Sequence, residues 1–350
     1  MYVGIMVARA LPLLAIFVSI PFEAASAAVP EFKGTFTVVG TAADGLSGVR
    51  DLEFNPASPD QLWTYNKMIH GVVIYFNPGT PQQTHEVRID LFAKHFMANV
   101  SSAAFGDDGY FGTCQESRNE WNGGPQAPDD FMGPTLWSSD LNIFGQDNGG
   151  KGSHMDMLHQ SPLCMGIAHD VDNVYWVFDG LHGNIVRYDF QADHGPGNHD
   201  HSDGIITRYL DATVTRVPDI PGHMELDHAT AMLYVADTGG NRIMRLDTAS
   251  GNNIGTLPGD WDGAEYTGVE GADYRALVED IDVPSGLALH EGRLFVSELG
   301  TGDIIAFELD GTEIDRLSTP SKNLMGLTVG PAGDLWYTDP VANEVVRVGP

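Results

Sequence analysis

The chain has 350 residues with 18 Lys and Arg against 48 Asp and Glu, a formal net charge of −30, and only two cysteines among 13 histidines. So acidic a surface repels nucleic acid and anionic membrane and suits a cation-rich exterior or divalent ions. Two cysteines fit neither a zinc ribbon nor a C-x-x-C redox motif, and in an exported chain the pair Cys114 and Cys164 reads as one disulfide, with a thiolate metal ligand at Cys164 as the alternative.

In chain order, Arg9 precedes an apolar run over residues 11–20, which ends at the small-residue site Ala25-Ser26-Ala27. The run is too short to span a bilayer, so residues 1–27 read as a signal peptide. The remainder, 28–350, reads as one secreted or periplasmic domain with no membrane contact after cleavage. Removing the leader takes away one Arg and one Glu and leaves the charge unchanged.

The rest of the chain is a repeat. DLEFN, QLWTYN and VVIYFN (51–77) form the first copy, and VSSAAF and TLWSSD, split by a Gly-, Asn- and Pro-rich insertion, form a swollen second. The third and fourth copies (161–247) are the clearest: MGIAHD, VYWVFD and IVRYD, then GHMELD, LYVAD and IMRLD. SGLALH, RLFVSE and DIIAFELDG make the fifth, and MGLTVG, DLWYTD and EVVRVG the sixth. Short β-branched and aromatic runs with turn residues between them, at this spacing, predict an all-β, six-bladed β-propeller. Fourth strands are expected in the variable connectors, IITRYLD among them. FKGTFTVVG, a strand without a blade, is expected to close the ring as the outer strand of blade six.

In such a ring the connectors into each first strand and the turns between second and third strands share one face. Ten of the histidines fall there and three (His169, His228, His290) on the opposite face. His154 and His159 lie in the connector before blade three, His182 in a turn of blade three, and His223 at the start of blade four. Together they could offer imidazoles to one divalent ion at the channel, Zn²⁺ first and Cu²⁺ next; a solvated rim is the competing reading. The loop 189–204 gathers Asp193, His194, His199, Asp200, His201 and Asp203, a second candidate metal loop for Ca²⁺ or a transition ion, or else a flexible acidic loop. Second strands end in a ring of acids, read as Asp140, Asp179, Asp237, Glu298 and Asp339 with Asn66, most of them turn caps. Arg50 is the one cation expected at the channel end of a first strand, and with Asp179 it is a candidate catalytic residue.

The motifs PSGLAL, LYVAD and TGGNRI are similar to those of NHL-repeat propellers, over nearly the whole domain. VFDGLHGNIVRY resembles, at a distance, a turn of the peptidyl-hydroxyglycine (amidating) lyase domain, with Leu181 where that family has Tyr. The resemblance implies a metal-dependent lyase acting on a small molecule or peptide at the channel mouth, with His223 at a zinc position and Arg50 steadying negative charge. A calcium-dependent lactonase of the gluconolactonase type, using Glu298, Asn66 and Asp237, is the alternative. A non-catalytic ligand- or protein-binding propeller is the third. No G-x-S-x-G elbow, P-loop or Rossmann fingerprint is present. Nothing in the sequence fixes the oligomeric state.

Overall fold

The computed structural model describes Met1, residues 34–119 and residues 130–349; the leader expected over 1–27 lies outside them, Met1 apart. Six sheets follow one another around a ring. Blade one holds Val49–Phe54, Gln61–Asn66, Gly71–Phe76 and Thr84–Arg88, and blade two Val100–Phe105, Tyr110–Gln115, Thr135–Ser138 and His154–Met157. Blade three runs Gly166–His169, Val174–Asp179, Asn184–Asp189 and Ile205–Thr213. Blades four, five and six start at Met224–Asp227, Pro284–His290 and Leu327–Val329. Phe36–Gly40 pairs antiparallel with Glu344–Val348 and closes blade six from outside, as the sequence predicts.

Most second strands read as apolar runs because they are buried on both faces. In VYWVFD every residue is buried. Tyr175 and Val177 join the core shared with blade two, while Trp176 and Phe178 join the core shared with blade four. Leu233 and Val235 face blade three, and Tyr234 and Ala236 face blade five, by the same alternation. Six apolar clusters result, one at each blade interface. Between blades one and two, Trp63 meets Phe111 edge-on at 5.2 Å.

Two sequence expectations need correction in blade two. Its second strand is Tyr110–Gln115, not TLWSSD, so Thr135–Ser138 is the third strand and Asp140 leaves the ring of second-strand acids for a turn, where it accepts the Asn142 amide. The YFGTCQ run hides because Gly112 dilutes it. Glycine is needed there, since a Cβ would meet Ile167 at 2.8 Å and Tyr175 at 3.0 Å. Residues 154–157, read as connector, form the outer strand. Blade three is also longer than expected. A hairpin of Asn252–Thr256 and Glu265–Glu270 adds to it, the latter strand running parallel to Ile205–Thr213. Cys114 and Cys164 form the expected disulfide, joining the second strand of blade two to the approach to blade three. No helix among the described residues is long and apolar enough to cross a membrane.

Candidate metal centre and central channel

The histidines the sequence assigns to one channel site occupy three settings. His154 and His159 stay together at the outer edge of blade two, where loop 190–204 of blade three folds against them. The loop is stitched down by backbone: His194 N–H donates to the Met155 carbonyl (3.1 Å), Gly197 N–H to that of His154 (2.8 Å), and Lys151 N–H to that of Gly197 (2.9 Å). Gly197 sits at φ 71°, against Lys151 and Gly152, where a side chain would clash. The sequence HGPGN thus turns the loop inward and delivers His194 and His201 to His154 and His159.

Each of these four rings is held by its Nδ1. His154 faces the Lys151 carbonyl at 3.0 Å, His194 the Gly195 carbonyl at 2.7 Å, His201 faces Asp156 Oδ1 at 2.7 Å, and His159 faces Asp262 Oδ1 at 2.6 Å. Asp262 Oδ2 also accepts the His159 backbone amide at 2.8 Å. A carbonyl or carboxylate can only accept, so each Nδ1 carries the hydrogen and each Nε2 keeps its lone pair. The Nε2 atoms of His154, His159 and His194, with Asp156 Oδ2, are buried without a hydrogen-bond partner. Asp156, His194 and His201 each bring a donor atom within 4.8 Å of the other two. Ring centroids run from His154 to His194 at 5.0 Å, to His201 at 5.0 Å and to His159 at 6.1 Å. Burial, reinforced by neighbouring His194, pushes His154 down to about 2, and burial lowers His194, so both rings are neutral near pH 7.

Aromatic rings wall the cluster. Phe96 stacks on His154 and Phe131 on His159, both at 3.5 Å between centroids, beside a cavity of about 430 Å³. The other members of the candidate loop serve its turns. Asp193 accepts from Tyr110 Oη and the Gly195 amide, Asp200 from Ser202, and Asp203 from the Ala192 amide; His199 is exposed. Asp156 and Asp262 were missed by sequence reasoning. Asp156, two residues from His154 in HMDM, carried a weak signal; Asp262, 103 residues from His159, carried none.

His182 stands apart, bonded through Nδ1 to Asp179 at 2.7 Å with its side chain 48% exposed. Asp179 also takes the Leu181 and His182 amides and an ion pair from Arg208 at 2.8 Å. Burial pushes this carboxyl up, but His182 and Arg208 outweigh it and hold it below the usual range. With its oxygens so occupied, Asp179 caps a turn. Arg50 lies near Glu116 and Asp219, its Nε buried without a hydrogen bond. Glu116 itself is bound by Lys67 (2.7 Å) and Arg216.

His223 lies in the channel, a cavity of about 260 Å³ lined by first strands. Asp51, Glu53 and Glu225 line it too; in DLEF and MELD they are the alternate, channel-facing positions, a readable signal. Asp51 accepts the amides of Leu52 and Ala103, both at 2.8 Å, and Glu53 accepts from Thr328 at 3.2 Å.

No protein-family model and no curated protein matches the chain. Solved structures do. Virginiamycin B lyase from Staphylococcus aureus is 13% identical, with TM-score 0.52 over 90% of this chain and 99% of that one. An auxiliary nutrient binding protein from Bacteroides thetaiotaomicron gives 10%, 0.57, 87% and 69%. Regucalcin from Agrobacterium tumefaciens, a calcium-binding protein, gives 15%, 0.50, 90% and 94%. At such identity the likeness extends to the fold: the chain is a six-bladed β-propeller.

Proposed function

We propose that this is an exported metal-binding propeller whose ion is held by Asp156, His194 and His201, with His154 and His159 beside them. The observation that carries this reading is the set of buried Nε2 and Oδ2 atoms, each without a partner, on groups whose other polar atom is already fixed. Leaving such atoms unpaired costs free energy that an ion would recover. Imidazole donors with one carboxylate favour Zn²⁺ or Cu²⁺ over Ca²⁺. A bound ion would supply Lewis acidity beside the aromatic cavity. Phe96 and Phe131 would pack against a small molecule or peptide reaching it.

The disulfide and the leader-like residues 1–27 support export; N-terminal sequencing of secreted protein tests it. The motifs PSGLAL and TGGNRI support an NHL-type repeat. The likeness to virginiamycin B lyase and to the calcium-binding regucalcin is one of fold and assigns no reaction.

Elemental analysis after exhaustive dialysis tests the reading. Wild type and the His182→Ala/His223→Ala variant are expected to retain about one equivalent of transition metal, and His194→Ala/His201→Ala to lose it. Metal lost only in the His182/His223 variant would move the centre to the channel. No metal in wild type would overturn the proposal.

A further inference from the structure

The channel lies outside the histidine cluster and its polar groups have no role there. Asp51 and Glu53 come from blade one and Glu225 from blade four, and among the described residues no Lys or Arg lines the cavity they face. His223, 5% exposed, lines it as well, its Nε2 without a hydrogen-bond partner and 3.6 Å from Asp51 Oδ1. Three carboxyl groups and an unsatisfied imidazole therefore share one cavity that holds no permanent cation of the chain.

We propose that the channel binds a small organic cation, an alkylammonium group whose nitrogen lies between Asp51, Glu53 and Glu225, in contact with two of them at most, and whose carbon chain rests on apolar channel wall. A bare divalent ion fits less well. Calcium holds its oxygens at about 2.3–2.6 Å, so ligand atoms stand within about 5 Å of one another. Among the described residues only Asp156, His194 and His201 bring three such donors that close. The channel groups stand wider, around a volume of about 260 Å³ that exceeds any single ion. Ala104, Ile167 and Leu226 also line the cavity and give carbon a surface to cover. Pro56, His169 and His228 sit at the far ends of the first strands, so the cavity opens on the face opposite the connectors. Burial drives all three carboxyls up, Glu225 to about 8, and an arriving ammonium would favour their ionised forms.

Isothermal titration of the full chain with n-butylamine, n-butanol and calcium chloride tests this. n-Butylamine is expected to bind at one saturable site and the neutral isostere n-butanol not at all, a comparison that needs no variant. Glu225→Gln and Glu53→Gln, checked for folding by thermal melts, are each expected to weaken the amine about tenfold or more. His194→Ala/His201→Ala is expected to bind it as wild type does, so failure here is distinct from failure of the metal reading. Equal binding of n-butanol, amine binding unchanged in both glutamine variants, calcium binding that Glu225→Gln abolishes, or no amine binding to wild type would each overturn the proposal.

Discussion

His201 Nδ1 and Asp156 Oδ1 meet at 2.7 Å, joining a loop of blade three to the outer strand of blade two. Asp156 is fully buried and its other oxygen has no partner, so one carboxylate both orients an imidazole and presents a donor atom. That geometry gives the residue two ways to hold an ion, directly and through His201.

Asp156→Asn keeps the volume but exchanges one acceptor oxygen for a donor group. Transition-metal affinity, measured by competition with a chromophoric chelator, is expected to fall about 10- to 100-fold with the melting temperature little changed. Unaltered affinity would remove Asp156 from the centre.

Asp262 acts from further away in sequence. It fixes His159 through both ring and backbone, and both side chains are 2% exposed. Asp262→Ala strands a buried imidazole and a buried amide, which is expected to cost about 1–3 kcal/mol in urea unfolding. A change within a few tenths would show the pair to be structurally idle.

Asp179, a catalytic candidate on sequence grounds, is expected to behave as structure. Arg208 is buried against it and also donates to Tyr266 Oη at 2.8 Å and to the Gln160 carbonyl at 2.6 Å. Asp179→Ala leaves that guanidinium without its counter-charge, so a loss of about 3–5 kcal/mol is expected. Metal content measured on the folded fraction should not change. A stable variant that loses its metal would restore Asp179 to the site.

The ring of blades was legible because VYWVFD and LYVAD are buried on both faces and so read as unbroken apolar runs. The closure by Phe36–Gly40 followed from a third strand left without a neighbour. The candidate centre was legible in half. His154 and His159, and separately His194 and His201, stood out as clusters, but only the folding of loop 190–204 onto blade two joins them. Asp262 reaches His159 from the hairpin added to blade three, whose parallel pairing with Ile205–Thr213 is non-local and leaves no periodic trace. His223 reads as a metal ligand from its place at the start of a first strand, and only the assembled ring brings Asp51 of another blade to 3.6 Å from it.

The disulfide closes a long segment. Cys114 and Cys164 are 50 residues apart, so reduction frees a loop whose closure is worth about 4 kcal/mol in the chain-entropy view. Cys114→Ser/Cys164→Ser is expected to melt several degrees lower while keeping its metal, because neither sulfur belongs to the donor trio. Metal lost from folded double variant would make a thiol a ligand after all.

Channel carboxyls set a pH dependence of the opposite sign to ordinary acid unfolding. Glu225 rises from an ordinary 4.5 to about 8, chiefly through burial and then through Asp51. Between those values the folded chain holds a proton that the unfolded chain has released. Stability from this group is therefore complete below about pH 4.5 and lost as pH climbs through 8. Glu53 is raised in the same direction. Both groups keep some contact with solvent through the cavity, so an effect on the order of 1–3 kcal/mol is expected rather than the full shift. Urea unfolding at pH 5 and pH 8.5 should show wild type weakening with pH and Glu225→Gln weakening less. The variant is expected to be the more stable protein at pH 8.5 and close to wild type at pH 5. Parallel profiles for the two would mean that Glu225 is ionised in the folded channel at neutral pH.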